Sequence, residues 1–303
     1  MTPYKQESPE ISSEFKTTLD PSTCTRRGLC PVTEIRHQAK PLESHSLYYE
    51  VHGSGPVKIV LIMGLSGTSG DWLLQVRHFG RLPQYSVLVF DNRGVGNSSS
   101  PRGPYTTSGM ANDTIVLLDF LGWTADRELH VIGISMGGMI AQELASRIPE
   151  RISSLSLVVT KAGGQPWHNL PRLKTAWLLA RALSLSDVED RIPVLQSMLF
   201  PSDWLAQKAE GDPQGRTNAE VQASVYRSKF ALIRPQPFLC ALSQMAAALT
   251  HHVSPDRLRK ISASIPKVLI LTGDTDLMVD PSESLFLKNN MPEAEYQCWK
   301  GEG

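Results

Sequence analysis

The sequence predicts an α/β protein: a mainly parallel, doubly wound sheet with a helical segment inserted into it. Three observations carry that prediction. From about residue 46 to residue 160, short β-branched or apolar runs alternate with runs of helical period. From about Lys161 to Ala263, helical segments follow one another with no strand between them. The alternation then resumes, and 303 residues suffice for one large domain carrying such an insertion.

The elements follow in order. Residues 1–44 are polar, with scattered Pro, Ser and Thr and no sustained period, so a disordered tail or loosely docked arm is expected there. SLYYEVH (46–52) reads as a strand, GSGP as a turn, and VKIVLIM (57–63) as a strand buried on both faces. Two strands separated by Gly and Pro suggest a hairpin. DWLLQVRHFGRL reads as a helix, YSVLVFD as a strand, and MANDTIVLLDFLGW as a helix capped by Ser108. ELHVIGI is the next strand, MGGMIAQELASRI the next helix, and ISSLSLVVT the strand after it. The insertion contains LKTAWLLARAL, AEVQASVYRSKFALI and FLCALSQMAAAL. Strand KVLILTGD (267–274), helix SESLFLKNN and a last strand near EYQCWK close the pattern. The expected divisions are a tail at 1–44, core at 45–160, helical cap at 161–263 and core again at 264–303.

Composition narrows the partner. Lys plus Arg and Asp plus Glu number 30 each, so no net field attracts nucleic acid or an anionic membrane. No export signal and no run of about 18 apolar residues is found, and the chain reads as soluble and cytoplasmic, with no membrane span. Cys24, Cys30, Cys240 and Cys298 show no metal-site spacing, and the CTRRGLC pair would close a loop only in a secreted protein. Neither a metal nor a cofactor is expected. The composition leaves the oligomeric state open.

Gly133-Ile134-Ser135-Met136-Gly137 follows an apolar strand and opens a helix, the setting in which GxSxG has chemical meaning. A serine on so sharp a turn projects its hydroxyl from the sheet edge, and the flanking glycines relieve crowding. With this motif the chain resembles the α/β-hydrolase superfamily from about Ser46 to Gly303. LIMGLSGTSGDW keeps Gly64 after its strand, although Met63 stands where the family commonly has His. The resemblance implies an oxyanion hole made by the backbone N–H groups of Leu65 and Met136. FDNRGVGNSSSP resembles the family's DxRGxGxS loop, in which Asp91 and Arg93 are read as structural, organising the loop through charge-assisted hydrogen bonding. LTGDTDLMVDP resembles GxxDxxVP and selects Asp276 as the triad acid, with Asp274 and Asp280 as rivals. The GDTD carboxylates lack the neighbours that would complete a metal shell.

The third triad member, a histidine, belongs after the last strand in this family. All eight histidines precede Asp276, and WKGEG supplies the turn that usually precedes it. The chain therefore reads as truncated one residue before its general base. His251 and His252 close an apolar helix, where a helix C-terminus favours cations.

The cap's apolar residues Trp167, Trp177, Leu178, Leu179, Met198, Phe200, Trp204, Phe238 and Met245 are candidates for pocket lining or for packing the cap itself. The resemblance implies a serine hydrolase of carboxylic esters, lactones or related acyl compounds, acting on a small apolar ester-like substrate through an acyl-Ser135 intermediate. A serine at 135 argues against the branches with an Asp nucleophile. Two alternatives stay open. One is a prolyl-type aminopeptidase, which needs a cap carboxylate such as Glu189, Glu210 or Glu220. The other is a non-catalytic small-molecule binding protein on a hydrolase scaffold.

Overall fold

The computed structural model describes residues 15–34 and 43–302. Their strands are β1 (Cys24–Glu34), β2 (Glu43–His52), β3 (Val57–Ile62), β4 (Tyr85–Phe90), β5 (Leu129–Ile134), β6 (Ile152–Val158), β7 (Lys267–Gly273) and β8 (Glu295–Trp299). They form one sheet in the order β1-β2-β4-β3-β5-β6-β7-β8. β1, β2 and β4 pair antiparallel, and every pairing from β4 through β8 is parallel. Val60, Leu61, Ile62, Val87, Leu88 and Val89 are all buried, which is why the central strands are continuous apolar runs.

Two sequence expectations are corrected here. The strands either side of GSGP do not form a hairpin, because β4 lies between β2 and β3. The turn instead crosses the entry to β4: Gly55 donates to the Tyr85 carbonyl, and Val57 to that of Gln84. A run buried on both faces gains more at the sheet centre than in a two-stranded arm. The second correction concerns the tail, since Cys24–Glu34 is strand β1, paired along β2 at the sheet edge. One face of β1 buries Cys30 and Val32, a bulge between Cys24 and Arg26 turns the buried Cys24 to the other face, and Thr25 and Leu29 are exposed, so the strand carries too few apolar residues to stand out. Of the expected tail, 1–14 and 35–42 lie outside the described residues.

Five helices flank the sheet: α1 (Leu73–Phe79), α2 (Thr107–Leu121), α3 (Met136–Ala145), and, as numbered along the chain, α9 (Pro255–Ser264) and α10 (Pro281–Asn290). The segment expected as the cap contributes α4 (Leu173–Ser184), α5 (Val188–Leu199), α6 (Ser202–Ala206), α7 (Asn218–Leu232) and α8 (Phe238–Leu249). The main core packs α2, α3, α9 and α10 against one face through Leu117, Ile140, Leu144, Leu258, Ile261 and Leu287. Val76 of α1 and Trp72 before it cover the other face at β3 and β4. Over β5 and β7 that second face is less covered, and Ile132, Ile134, Leu269 and Leu271 remain half-buried.

Leu258 and Ile261 place α9 in the core, so the insertion ends earlier than Ala263. The cap of α2 is Thr106, whose hydroxyl accepts from the Gly109 amide at 3.0 Å; Ser108 instead accepts from Arg147. No helix among the described residues is long and apolar enough to cross a membrane.

Candidate active site

Ser135 sits between β5 and α3 with φ 54° and ψ −122°, a backbone conformation that costs a non-glycine residue about 1–3 kcal/mol. Its main chain is fixed on both sides. The amide donates to the Val158 carbonyl at 2.9 Å, and its carbonyl accepts from Gly138 (2.9 Å), Met139 (3.2 Å) and the Thr160 hydroxyl (2.7 Å). The side-chain Oγ is half-buried and makes no hydrogen bond among the described residues.

The glycines around it mark where backbones touch. A Cβ on Gly137 would stand 2.1 Å from the Ile62 carbonyl oxygen, and one on Gly133 2.3 Å from that of Gly137. A Cβ on Gly64 would stand 3.0 Å from the Ser135 Cβ and 3.5 Å from its Oγ. The end of β3 therefore lies directly against the serine turn. Met136 is the first residue of α3, so its N–H has no intrahelical acceptor and stands at the positive end of the helix.

The loop leading to Leu65 is braced by side chains that sequence reading missed. Asn92 Nδ2 donates to the Met63 carbonyl at 3.0 Å. Gln244 of α8, fully buried, accepts the Ser66 amide at 2.9 Å and donates to the Arg93 carbonyl at 2.9 Å. A long amide inside the apolar helix FLCALSQMAAAL was the one available signal. Asp91 and Arg93 are structural but do not bond each other. Asp91 accepts the amides of Ser69 (2.7 Å) and Asn97 (2.8 Å), while burial drives its pKa upward. Arg93 forks onto Asp113 of α2.

Asp276 is buried in the loop after β7, and one oxygen accepts the amides of Met278 (2.7 Å) and Val279 (3.0 Å). Burial raises its pKa more than those donors lower it. Asp274 is exposed and accepts the Gly301 amide at 2.7 Å; Asp280 caps α10 through Ser282 and pairs with Arg172. Thr175 of the cap donates its hydroxyl to the Leu277 carbonyl, and the Thr275 amide donates to the Glu302 carbonyl at 2.9 Å. The Asp276 loop is thus tied both to the cap and to the turn following β8.

No described histidine is hydrogen-bonded to Ser135 or Asp276, and His37 lies outside the described residues. His251 is not the cationic helix cap expected from its position. It is buried, shares a 2.9 Å hydrogen bond with Thr107, and burial pushes its pKa down to about 3. Two cavities, of about 230 and 300 Å³, lie beside Thr18–Arg81 and between α4 and α5, and neither touches Ser135.

A strained serine on a strand-turn-helix, at the carboxyl edge of a parallel sheet, defines a class of protein. The chain belongs to the alpha/beta hydrolase fold family, whose sequence profile matches residues 58–298. Over 262 residues it is 28% identical to a protein of Caulobacter segnis named as a candidate carbamate hydrolase, RutD, covering 84% of this chain and 89% of that one. A thermophilic esterase from Thermogutta terrifontis superposes with a TM-score of 0.66 at 22% identity, over 92% of this chain and 91% of the esterase. An enol-lactonase from Burkholderia xenovorans LB400 superposes at 0.63 and 23% identity, over 84% and 88%. At such identities the two structures speak for the fold alone.

Proposed function

We propose that the chain is a serine hydrolase of carboxylic esters, lactones or related acyl compounds, with Ser135 as nucleophile. The observation that carries this reading is the conformation of Ser135: a strained backbone holds an uncommitted Oγ beside the Leu65 loop and the first amide of α3. In the proposed reaction Ser135 Oγ attacks the carbonyl carbon, and the N–H groups of Leu65 and Met136 take the charge that develops on oxygen. The leaving group departs with a proton, and water then releases the acyl group from Ser135. Asp276, buried where Asp274 is exposed, is the acid that orients the base.

Ser135 and Asp276 follow β5 and β7, with β6 between them, so two strand spacings separate them by about 10 Å. A third group must bridge that gap. The turn after β8, bonded to Thr275, is the place from which a histidine would reach both. Carbamates undergo the same tetrahedral step, and the name of the Caulobacter relative favours including them among the acyl compounds. The aminopeptidase reading loses support, because Glu189 is paired with Arg227, Glu220 is engaged in capping α7, and Glu210 is exposed.

The test is fluorophosphonate labelling and p-nitrophenyl ester hydrolysis, in this chain and in one continued past Gly303 by a histidine-bearing turn and an amphipathic helix. Label should map to Ser135, and Ser135→Ala should abolish both signals in the continued chain. Label elsewhere, or turnover that survives the substitution, overturns the assignment.

A further inference from the structure

Away from the serine, at the sheet edge, the ribbon of β1 and β2 carries a second cluster of chemically active side chains. Glu50 and His52 are two residues apart on β2 and project from the same face. Cys24 on β1 is the direct cross-strand partner of His52. The sulfur, one carboxylate oxygen and one imidazole nitrogen all lie within 4.8 Å of one another, and all three residues are buried.

The hydrogen bonds fix the imidazole's orientation. In the Nδ1–H tautomer the Thr23 hydroxyl accepts from His52 at 2.8 Å and gives its own proton to the Asp20 carbonyl at 3.2 Å. Nε2 then presents a lone pair to Glu50 Oε2 at 3.3 Å. Beyond this mutual contact neither atom has a well-formed hydrogen bond, and both are shut away from solvent. Two facing lone pairs in a dry site repel unless something positive lies between them.

We propose that Cys24, Glu50 and His52 supply three ligands to a site for a divalent transition metal of the zinc class, its fourth position open. Zinc bonds to imidazole nitrogen and carboxylate oxygen of about 2.0–2.2 Å, at a tetrahedral angle, put those two atoms about 3.3–3.4 Å apart. Nε2 and Oε2 have that separation already. The sulfur edge in such a site is about 3.6 Å, and Cys24 Sγ lies within 4.8 Å of both other ligand atoms. One thiolate and one carboxylate neutralise a divalent ion, so the buried site carries no net charge. A proton alone could also separate Nε2 from Oε2, leaving the facing thiol with its long 3.7 Å contact to the Arg26 carbonyl. The supporting shell is in place. Tyr48 donates its hydroxyl to Glu50 Oε1 at 2.9 Å, the Thr17 hydroxyl bonds the same carboxylate, and Thr23 holds His52.

His52 pairs with Val87, toward the amino ends of the parallel strands, whereas Ser135 stands beyond their carboxyl ends. The ion would therefore pin the segment through Thr23 and Cys24 to β2 without entering the acyl chemistry.

The test uses the untagged full chain, stripped of metal by chelator dialysis and then titrated with Zn²⁺ or Co²⁺. Expected are one zinc per chain retained through gel filtration, a higher melting temperature with zinc, and an ultraviolet thiolate-to-cobalt band. Cys24→Ser and His52→Gln should each weaken zinc at least about 10-fold, and Cys24→Ser should remove the cobalt band. Cys298→Ser should change none of these. Wild-type chain that retains no zinc and shows no band would leave a proton as the bridge and end the proposal. Zinc binding unchanged in both ligand variants would end it as well.

Discussion

Asp113→Ala should be among the most destabilising single substitutions in the core, for reasons that can be worked through bond by bond. The Arg93 guanidinium donates Nε–H to Asp113 Oδ2 and Nη2–H to Oδ1, each at 2.7 Å, with both side chains almost wholly buried. His45 Nε2 stands 3.3 Å from the same carboxylate. Removing the carboxylate deprives a buried guanidinium, which cannot discard its charge, of both these charge-assisted bonds. Breaking such a pair from one side costs about 3–5 kcal/mol, against a typical total stability of about 5–15 kcal/mol. Asp119→Ala is the control, because Asp119 pairs with Arg151 while half-exposed, and such pairs are worth at most about 1 kcal/mol. The effect should also reach the site, since the Arg93 carbonyl holds Gln244, which holds the Ser66 amide. Urea denaturation followed by tryptophan fluorescence measures the difference. If Asp113→Ala costs no more than Asp119→Ala, the buried fork is not the anchor described here.

Two further predictions concern titrating groups. His251 is surrounded by Glu143, Arg257, His252 and Lys161, and burial holds it neutral with a pKa near 3, against about 6.5 in the unfolded chain. Between those values the unfolded chain binds the proton and the folded chain does not. Its contribution is therefore complete above pH 6.5 and is lost as pH falls, by up to about 1.4 kcal/mol per unit. Denaturation curves at pH 7, 6 and 5 should show a shallower slope for His251→Asn, and parallel slopes would contradict the assignment. In the chain continued past Gly303, Asp276→Asn should lower kcat by roughly 10⁴ while Asp274→Asn has little effect. The reverse order would transfer the acid's role to Asp274.

What the sequence revealed, and what it hid, divides by distance along the chain. The serine turn was legible because its requirements are local: two glycines, a strand before and a helix after. The parallel core was legible because strands buried on both faces must be apolar throughout. Strand β1 was not, since an edge strand that carries Arg26 and Arg27 within it has no such need. The apparent hairpin failed because turn chemistry alone does not say which strand arrives next. Gln244 lies 178 residues from Ser66 and 151 from Arg93, separations that no periodicity can bridge. Cys24, Glu50 and His52 likewise meet through strand pairing, so their spacing resembles no metal motif. In the cap, Leu178 and Met198 pack with Ala182 and Val194, whereas Trp167, Trp177 and Phe238 are largely exposed. Helical periodicity identified apolar stripes there without showing what they would face.

The strain at Ser135 and the close contacts at Gly64, Gly133 and Gly137 are a single constraint. To place the first amide of α3 beside the end of β3, the helix must begin within one residue of β5, and that forces its first turn against the Ile62 carbonyl. Any side chain at 137 would drive the two apart, and one at 64 would push the Leu65 loop off the serine. The serine at 135 is held in its unfavourable conformation by four hydrogen bonds of its main chain, with β6, with α3 and with the Thr160 hydroxyl in the loop after β6. A glycine at 135 would relax the conformation by about 1–3 kcal/mol, and the proposed nucleophile is the reading that gives the strain a use. The same geometry brings a free hydroxyl and a helix-end N–H to one point, which is what attack on a carbonyl requires.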